Sequence, residues 1–157
     1  MTQVENAVRR TITVAASQQR AFEVFTARFG SWWPKDYHIG PAAMADFILE
    51  PKVGGRWYEL DVDGTQCDTG RVLAYDPPER VVLAWQLNEQ WQYDPDPSHA
   101  SEVEVRFIAE GPSRTRVELE HRGFEHHGAA AGAVRAGVEV QTGWTYVLEL
   151  FAKHVAA

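Results

Sequence analysis

The feature that most constrains this chain lies near its end. From Ala133 to Val155, Val134, Val138, Gln141, Trp144 or Thr145, Leu148, Phe151 or Ala152, and Val155 recur at a three-to-four spacing. Such a stripe predicts an amphipathic helix of about six turns, whose apolar face must be buried against something. Gly137 and Gly143 are tolerated breaks costing about 1 kcal/mol each against Ala, and they mark close packing or a bend. The segments before it are built to supply the cover. Val8–Ala15 is β-branched and loosely alternating. Between Asp46 and Arg122 the pattern is strand, turn, strand: Asp46–Pro51, Arg56–Val62, Thr69–Tyr75, Arg80–Asn88, Glu102–Ala109 and Thr115–His121. Gly54-Gly55, Asp63-Gly64, Asp76-Pro77-Pro78-Glu79 and Gly111-Pro112-Ser113 are the turns between them. In the last two strands Val103, Val105, Phe107, Val117 and Leu119 alternate with charged residues, so one face is buried and the other wet.

A meander of this kind cannot bury its apolar face alone, and a twisted sheet with one buried face coils. The expected architecture is therefore α+β: a curved antiparallel sheet of about seven strands wrapped around a long C-terminal helix, the helix-grip arrangement. One or two short helices should follow the first strand. Ser17 is a plausible N-cap for a helix over 18–29, in which Ala21, Phe22, Phe25 and Phe29 share a face and Gly30 is the stop. Trp32-Trp33-Pro34, with Tyr37 and His38, reads as a kinked segment, and Gly128 to Ala133 as a loop.

The 157 residues suffice for one core and are read as a single domain over 1–157. A formal net charge of -7 argues against a nucleic-acid backbone or an anionic membrane surface as partner. Cys67 is the single cysteine, so no intrachain disulfide can form, which fits a reducing compartment. The opening MTQVENAVRR lacks the apolar core of a signal peptide, and no apolar run approaches the roughly 20 residues of a membrane span. A cytoplasmic protein is expected.

Six tryptophans stand at 32, 33, 57, 85, 91 and 144. Aromatic walls with a few polar tips are what a small-molecule cavity needs, though the same side chains equally fill a core. Trp32, Trp33 and Tyr37 lie in the kinked segment and suit a cavity rim. Trp91 and Tyr93 lie at a strand end beside a loop, and Trp57, Trp85 and Trp144 complete the set. His38 is a candidate beside Tyr37, and His121 alternates with Leu119 and Val117, so it is placed to point inward. Glu59 shares parity with Trp57 and Asp61. Either these three face inward and a buried carboxylate needs a partner such as Arg71 or His121, or Tyr58 and Leu60 do and Glu59 is solvated. The cost of burying a carboxylate tips the balance slightly to the second. In the first case a carboxylate held in an apolar cavity could act as a general base, and Glu59 is retained as a candidate because the stretch GGRWYE contains it. His121, His126 and His127 are too loosely placed to read as a zinc site, so no metal is expected. Cys67 lacks a helix N-terminus or adjacent histidine to activate it. Gly54-Gly55 precedes a strand, so it is not a phosphate loop, and no nucleotide cofactor is implied.

Several local motifs occur in the same order as these elements. They are Val8–Ala15 leading into the Phe22/Phe25 helix, Pro51–Trp57 (PKVGGRW) with Glu59, Gly70–Trp85 (GRVLAYDPPERVVLAW), Leu119–Phe124 (LEHRGF), and Gly143-Trp144 followed by Leu148. From about residue 8 to 155 the chain resembles the SRPBCC superfamily, also called START-like or birch-pollen-allergen-like. Within it the chain resembles the bacterial branch related to the activator of the heat-shock-protein 90 ATPase. The resemblance implies the helix-grip fold, with a cavity between sheet and helix near Trp144 and Trp32–His38. It implies a small, hydrophobic or aromatic ligand, since members bind lipids, sterols, polyketides or plant hormones. Two alternatives stand beside binding: a cyclase or hydrolase using a cavity His or Glu, and a co-chaperone-like interaction module. The working expectation is a ligand-binding protein without cofactor, as a monomer or homodimer, with Trp32, Trp33, Tyr37, His38, Trp57, Glu59, Trp85, Trp91, His121 and Trp144 lining the cavity.

Overall fold

The computed structural model describes residues 7–156; the first residues of the expected single domain, and its last one, lie outside them. Seven antiparallel strands form one sheet: β1 (Val8–Val14), β2 (Met44–Leu49), β3 (Arg56–Asp61), β4 (Gln66–Asp76), β5 (Arg80–Trp85), β6 (Ser101–Gly111) and β7 (Arg114–Arg122). Their spatial order is β1-β7-β6-β5-β4-β3-β2, so β2 to β7 is a plain meander and β1 closes the far edge beside β7. The α+β helix-grip class is the one expected. On the outer face, alternation leaves Glu102, Glu104, Arg122, Glu120 and Arg9 in a ladder of ion pairs. The inner face carries Val81, Leu83, Val103, Val105, Phe107, Val117 and Leu119, each 2% exposed or less.

Two short helices follow β1. Helix α1 (Gln18–Thr26) begins where expected, with the Ser17 side chain accepting from the Arg20 N–H. It ends sooner than expected, and the chain re-forms a single turn, α2 (Phe29–Trp32), that runs through Gly30. Gly30 is therefore not a stop: an added Cβ there would collide with Asp46 and the Phe47 backbone, so glycine lets α2 lie directly against β2. Phe25 sits at the centre of the core. Its ring meets Phe29, Trp32, Phe107 and Phe151 at centroid distances of 5.0–5.7 Å, contacts worth about 0.5–1.5 kcal/mol each beyond burial.

The C-terminal helix is not continuous. After a 3-10 turn at Phe124–Ala130 come α3 (Ala131–Glu139), an irregular turn at Gln141–Thr145, and α4 (Tyr146–Ala156). Val140 is extended (ψ 163°), and Gly143 is non-helical (φ -86°, ψ -129°). A side chain at 143 would overlap the Val138 carbonyl, so the chain can fold back on itself there only as glycine. The break is clamped to β1: the Arg10 guanidinium donates to the Glu139 carbonyl and to Thr145 Oγ1, both at 2.8 Å. The apolar stripe is kept across the break, with Val134, Val138, Trp144, Leu148, Phe151 and Val155 all buried. The periodicity read from sequence was that of two helices in register.

Candidate functional site

The break in the C-terminal helix opens space between helix and sheet. A cavity of about 380 Å³ lies there, bounded by three stretches of chain: the segment after α2, the connection after β5, and the α3–α4 turn. Trp33, Tyr37 and His38 come from the first, Trp91 and Leu87 from the second, and Val138, Thr142, Gly143 and Trp144 from the third. Its floor is the inner face of the sheet at Phe47, Trp57, Thr69 and Trp85.

Hydrogen bonds fix these walls. Trp33 Nε1 donates to the Tyr37 carbonyl at 3.2 Å, and the Tyr37 hydroxyl donates to the Thr142 carbonyl at 2.8 Å, tying the first wall to the third. His38 Nδ1 donates to the Gly40 carbonyl at 2.9 Å, which leaves Nε2 as the free acceptor of an exposed ring. Trp91 is held in an unusual way. Asn88 Oδ1 accepts from the N–H groups of Gln90 and Gln92 and winds the loop tightly. Trp91 itself takes φ +60°, rare for a bulky residue. Its ring is 46% exposed and lies over Gly137, where a Cβ would be 3.2 Å from Trp91 Cζ2. Strained backbone that presents an aromatic ring at a cavity mouth is a mark of functional placement.

Seven of the residues expected to line a cavity therefore meet around one, namely Trp33, Tyr37, His38, Trp57, Trp85, Trp91 and Trp144. Three do not reach its wall. Trp32 points the other way from Trp33, into the core, where its Nε1 donates to the Val24 carbonyl at 3.0 Å. His121 stands behind Trp85 and Trp144, fully buried, and Glu59 lies beneath the 38–40 segment. Cavity residues that sequence reasoning passed over include Phe47, Thr69, Leu87 and Val138. Phe47 and Leu87 carried a usable signal as apolar positions in expected strands, and Val138 as a member of the C-terminal apolar stripe; Thr69 carried none.

Glu59 corrects the sequence-based preference for a solvated carboxylate. Trp57, Glu59 and Asp61 face inward at 0%, 0% and 2% exposure. What offsets the burial cost is the backbone of the cavity segment: Glu59 accepts the Ile39 N–H at 2.7 Å and the Gly40 N–H at 3.0 Å. Neither Arg71 nor His121 is its partner. Burial, and then the neighbouring Asp61 carboxyl, push the Glu59 pKa above its ordinary value.

His121 belongs to a directional chain. An indole N–H can only donate, so Trp144 Nε1, 3.1 Å from His121 Nδ1, fixes that nitrogen as the acceptor. His121 Nε2–H then donates to Ser101 Oγ at 2.8 Å, and the Ser101 hydroxyl donates to His127 Nε2 at 2.8 Å. His121 is thereby neutral, and burial holds its pKa well below the usual histidine range. Its role is to aim the Trp144 indole, one wall of the cavity.

Comparisons with known proteins agree with this fold. The family model described as Activator of Hsp90 ATPase homolog 1-like protein matches residues 15–156. Among solved structures, the anthrahydroquino-gamma-pyrone synthase Txn09 is 41% identical over 94% of this chain and 95% of its own, with a TM-score of 0.67. The self-sacrificing resistance protein CalC from Micromonospora echinospora is 33% identical over 95% and 93%, with a TM-score of 0.70. Protein NE0264 from Nitrosomonas europaea, at 14% identity and a TM-score of 0.66, shares the fold. No curated protein is significantly similar to the chain.

Proposed function

Since this chain belongs to the Activator of Hsp90 ATPase homolog 1-like family, we propose that its cavity binds a planar, fused-ring aromatic molecule of the polyketide class. The observation that carries this is the cavity itself: about 380 Å³ lined by five indoles and Phe47, with Trp33, Trp91 and Trp144 from three separate stretches of chain and Trp57, Trp85 and Phe47 from the sheet. That volume falls within the roughly 300–1,000 Å³ of pockets for drug-sized ligands. Flat indole faces held at fixed angles favour a flat ring system over a flexible acyl chain, because stacking rewards planarity. Behind the apolar surface Trp57 Nε1, Trp85 Nε1 and Thr69 Oγ1 are buried with no hydrogen-bond partner among the described residues. The similarity to Txn09, an anthrahydroquino-gamma-pyrone synthase, supports the same chemical class. The lone Cys67, which leaves no disulfide to form within the chain, supports a cytoplasmic setting.

The 41% identity to a synthase favours a second reading, in which the bound molecule is also cyclised. His38, with Nε2 free as an acceptor beside the cavity, is the group placed to take a proton from a ring-forming carbon or hydroxyl. Titration with an anthraquinone and with a saturated fatty acid of similar volume, followed by tryptophan emission, tests binding. Quenching by the anthraquinone alone is expected, and equal affinity for the fatty acid would reject an aromatic-selective site. Loss of turnover with full binding in His38→Ala is the outcome that supports catalysis.

A further inference from the structure

Asp61 is the least satisfied group among the described residues. It is 2% exposed, and when ionised both its carboxylate oxygens are buried without a hydrogen-bond donor; the one group beside it is the Glu59 carboxyl, with which it can only share a proton. A buried carboxylate in that condition costs several kcal/mol unless something positive sits against it. The residues around it define what that is. Glu59 lies two positions away on the same face of β3, and Cys67 is the cross-strand partner of Glu59 on β4. Each of the three offers an atom within 4.8 Å of the other two, and among the described residues no other set of three His, Cys, Asp or Glu side chains converges in this way. Gly40 closes the top: a Cβ there would collide with Asp61 Oδ2 and crowd Glu59 Oε2 at 2.9 Å.

The geometry points to a metal site formed by Glu59, Asp61 and Cys67, for a divalent ion of the zinc type. The sulfur decides the class, because a thiolate with two carboxylates suits zinc and its soft neighbours, whereas calcium and magnesium want oxygen alone. Tetrahedral bonds of about 2.0–2.3 Å bring ligand atoms to about 3.5 Å from one another, so the cluster tightens by at most about 1 Å on loading. All three ligands stand on paired strands, which limits further movement. Cys67 is only partly buried, and water completes the coordination from that side. On binding, the Cys67 thiol releases its proton to solvent, as does the carboxyl pair, and the ion takes their place. The ion lies outside the aromatic cavity, yet it bears on it, since Glu59 also holds the Ile39 and Gly40 N–H groups of the cavity rim.

The test uses full-length protein stripped of metal and titrated with cobalt(II) and then zinc. A sulfur-to-cobalt charge-transfer band, displaced by zinc, is expected in the wild type and absent in Cys67→Ser. Zinc affinity should fall at least about a hundredfold in Cys67→Ser and in Asp61→Asn, more than loss of an outer-shell partner costs. Circular dichroism and anthraquinone binding, measured in parallel, show that the variants are folded. Absence of the band in the wild type, or equal zinc affinity in wild type and Cys67→Ser, overturns the site. So does a wild type that binds no zinc but gains stability on Asp61→Asn, because the pair would then hold only a shared proton.

Discussion

Acid should unfold this protein in part through one residue, His121. Its ring is fully buried, and Trp144, Ser101, Trp85 and Phe124 surround it; His127 is the titratable group that also acts on it. Protonation would place a proton on Nδ1, the atom that accepts from Trp144, so the folded state refuses it. The unfolded chain accepts it near pH 6.5. Between these two pKa values the unfolded state holds one more proton, and stability rises with pH. The contribution is complete above about pH 6.5 and is lost below it at about 1.4 kcal/mol per pH unit. From pH 6.5 to pH 5 this single ring accounts for at most about 2 kcal/mol. His121→Gln keeps an acceptor and a donor but cannot take a proton. Urea unfolding at pH 7, 6 and 5 should therefore show a smaller acid loss in the variant than in the wild type. The contribution from His99, whose pKa Asp94 raises, cancels in the comparison; His127, joined to His121 through Ser101, is removed in both backgrounds by His127→Gln. His121→Leu at pH 7 should cost about 1–3 kcal/mol, since it orphans the buried Trp144 N–H, while the Ser101 hydroxyl keeps its bond to His127. An identical acid slope in His121→Gln and wild type would refute the reasoning.

Three further outcomes follow from the packing. Gly70→Ala should destabilise by about 3 kcal/mol or more in thermal melts, because its Cβ would overlap the Ala84 carbonyl across the β4–β5 ladder. Trp91→Ala should leave the melting temperature nearly unchanged, as the ring is 46% exposed, yet weaken anthraquinone binding about tenfold in an emission titration. Gly137→Ala should raise stability by about 0.5–1 kcal/mol from helix propensity, since the exposed Trp91 ring can yield a few tenths of an ångström. The same variant should shift the Trp91 emission, and a melting temperature below wild type would show that Trp91 is instead held rigidly.

Much of the fold could be read from local pattern, because strands with one wet face announce themselves by alternation. Val103, Val105 and Phe107 against Glu102, Glu104 and Arg106 showed which face of β6 is buried without any tertiary knowledge. What escaped depends on contacts distant in sequence. Glu59 faces inward because the Ile39 and Gly40 N–H groups, twenty residues away, accept the cost of its charge. The break at Val140–Gly143 is enforced by the approach of Gly143 to the Val138 carbonyl and by Arg10, more than a hundred residues upstream. Trp32 and Trp33 are adjacent and chemically identical, yet one fills the core and the other faces the cavity. Composition cannot separate them; only the direction of the α2 turn can.

The divided C-terminal helix separates two kinds of selective pressure. Helix α4 carries Val147, Leu148, Phe151 and Val155 into the core, so changes there act on whether the protein folds. Gly137, Val138, Thr142 and Gly143 border the cavity from α3 and the turn, with little of the core resting on the exposed members of that group. A lineage can therefore exchange Thr142 and, within the space under Trp91, Gly137, and so reshape what it recognises, while Gly143, Val138 and α4 preserve the fold. Relatives that share α4 but diverge across 137–143 are the natural place to look for changed ligand preference.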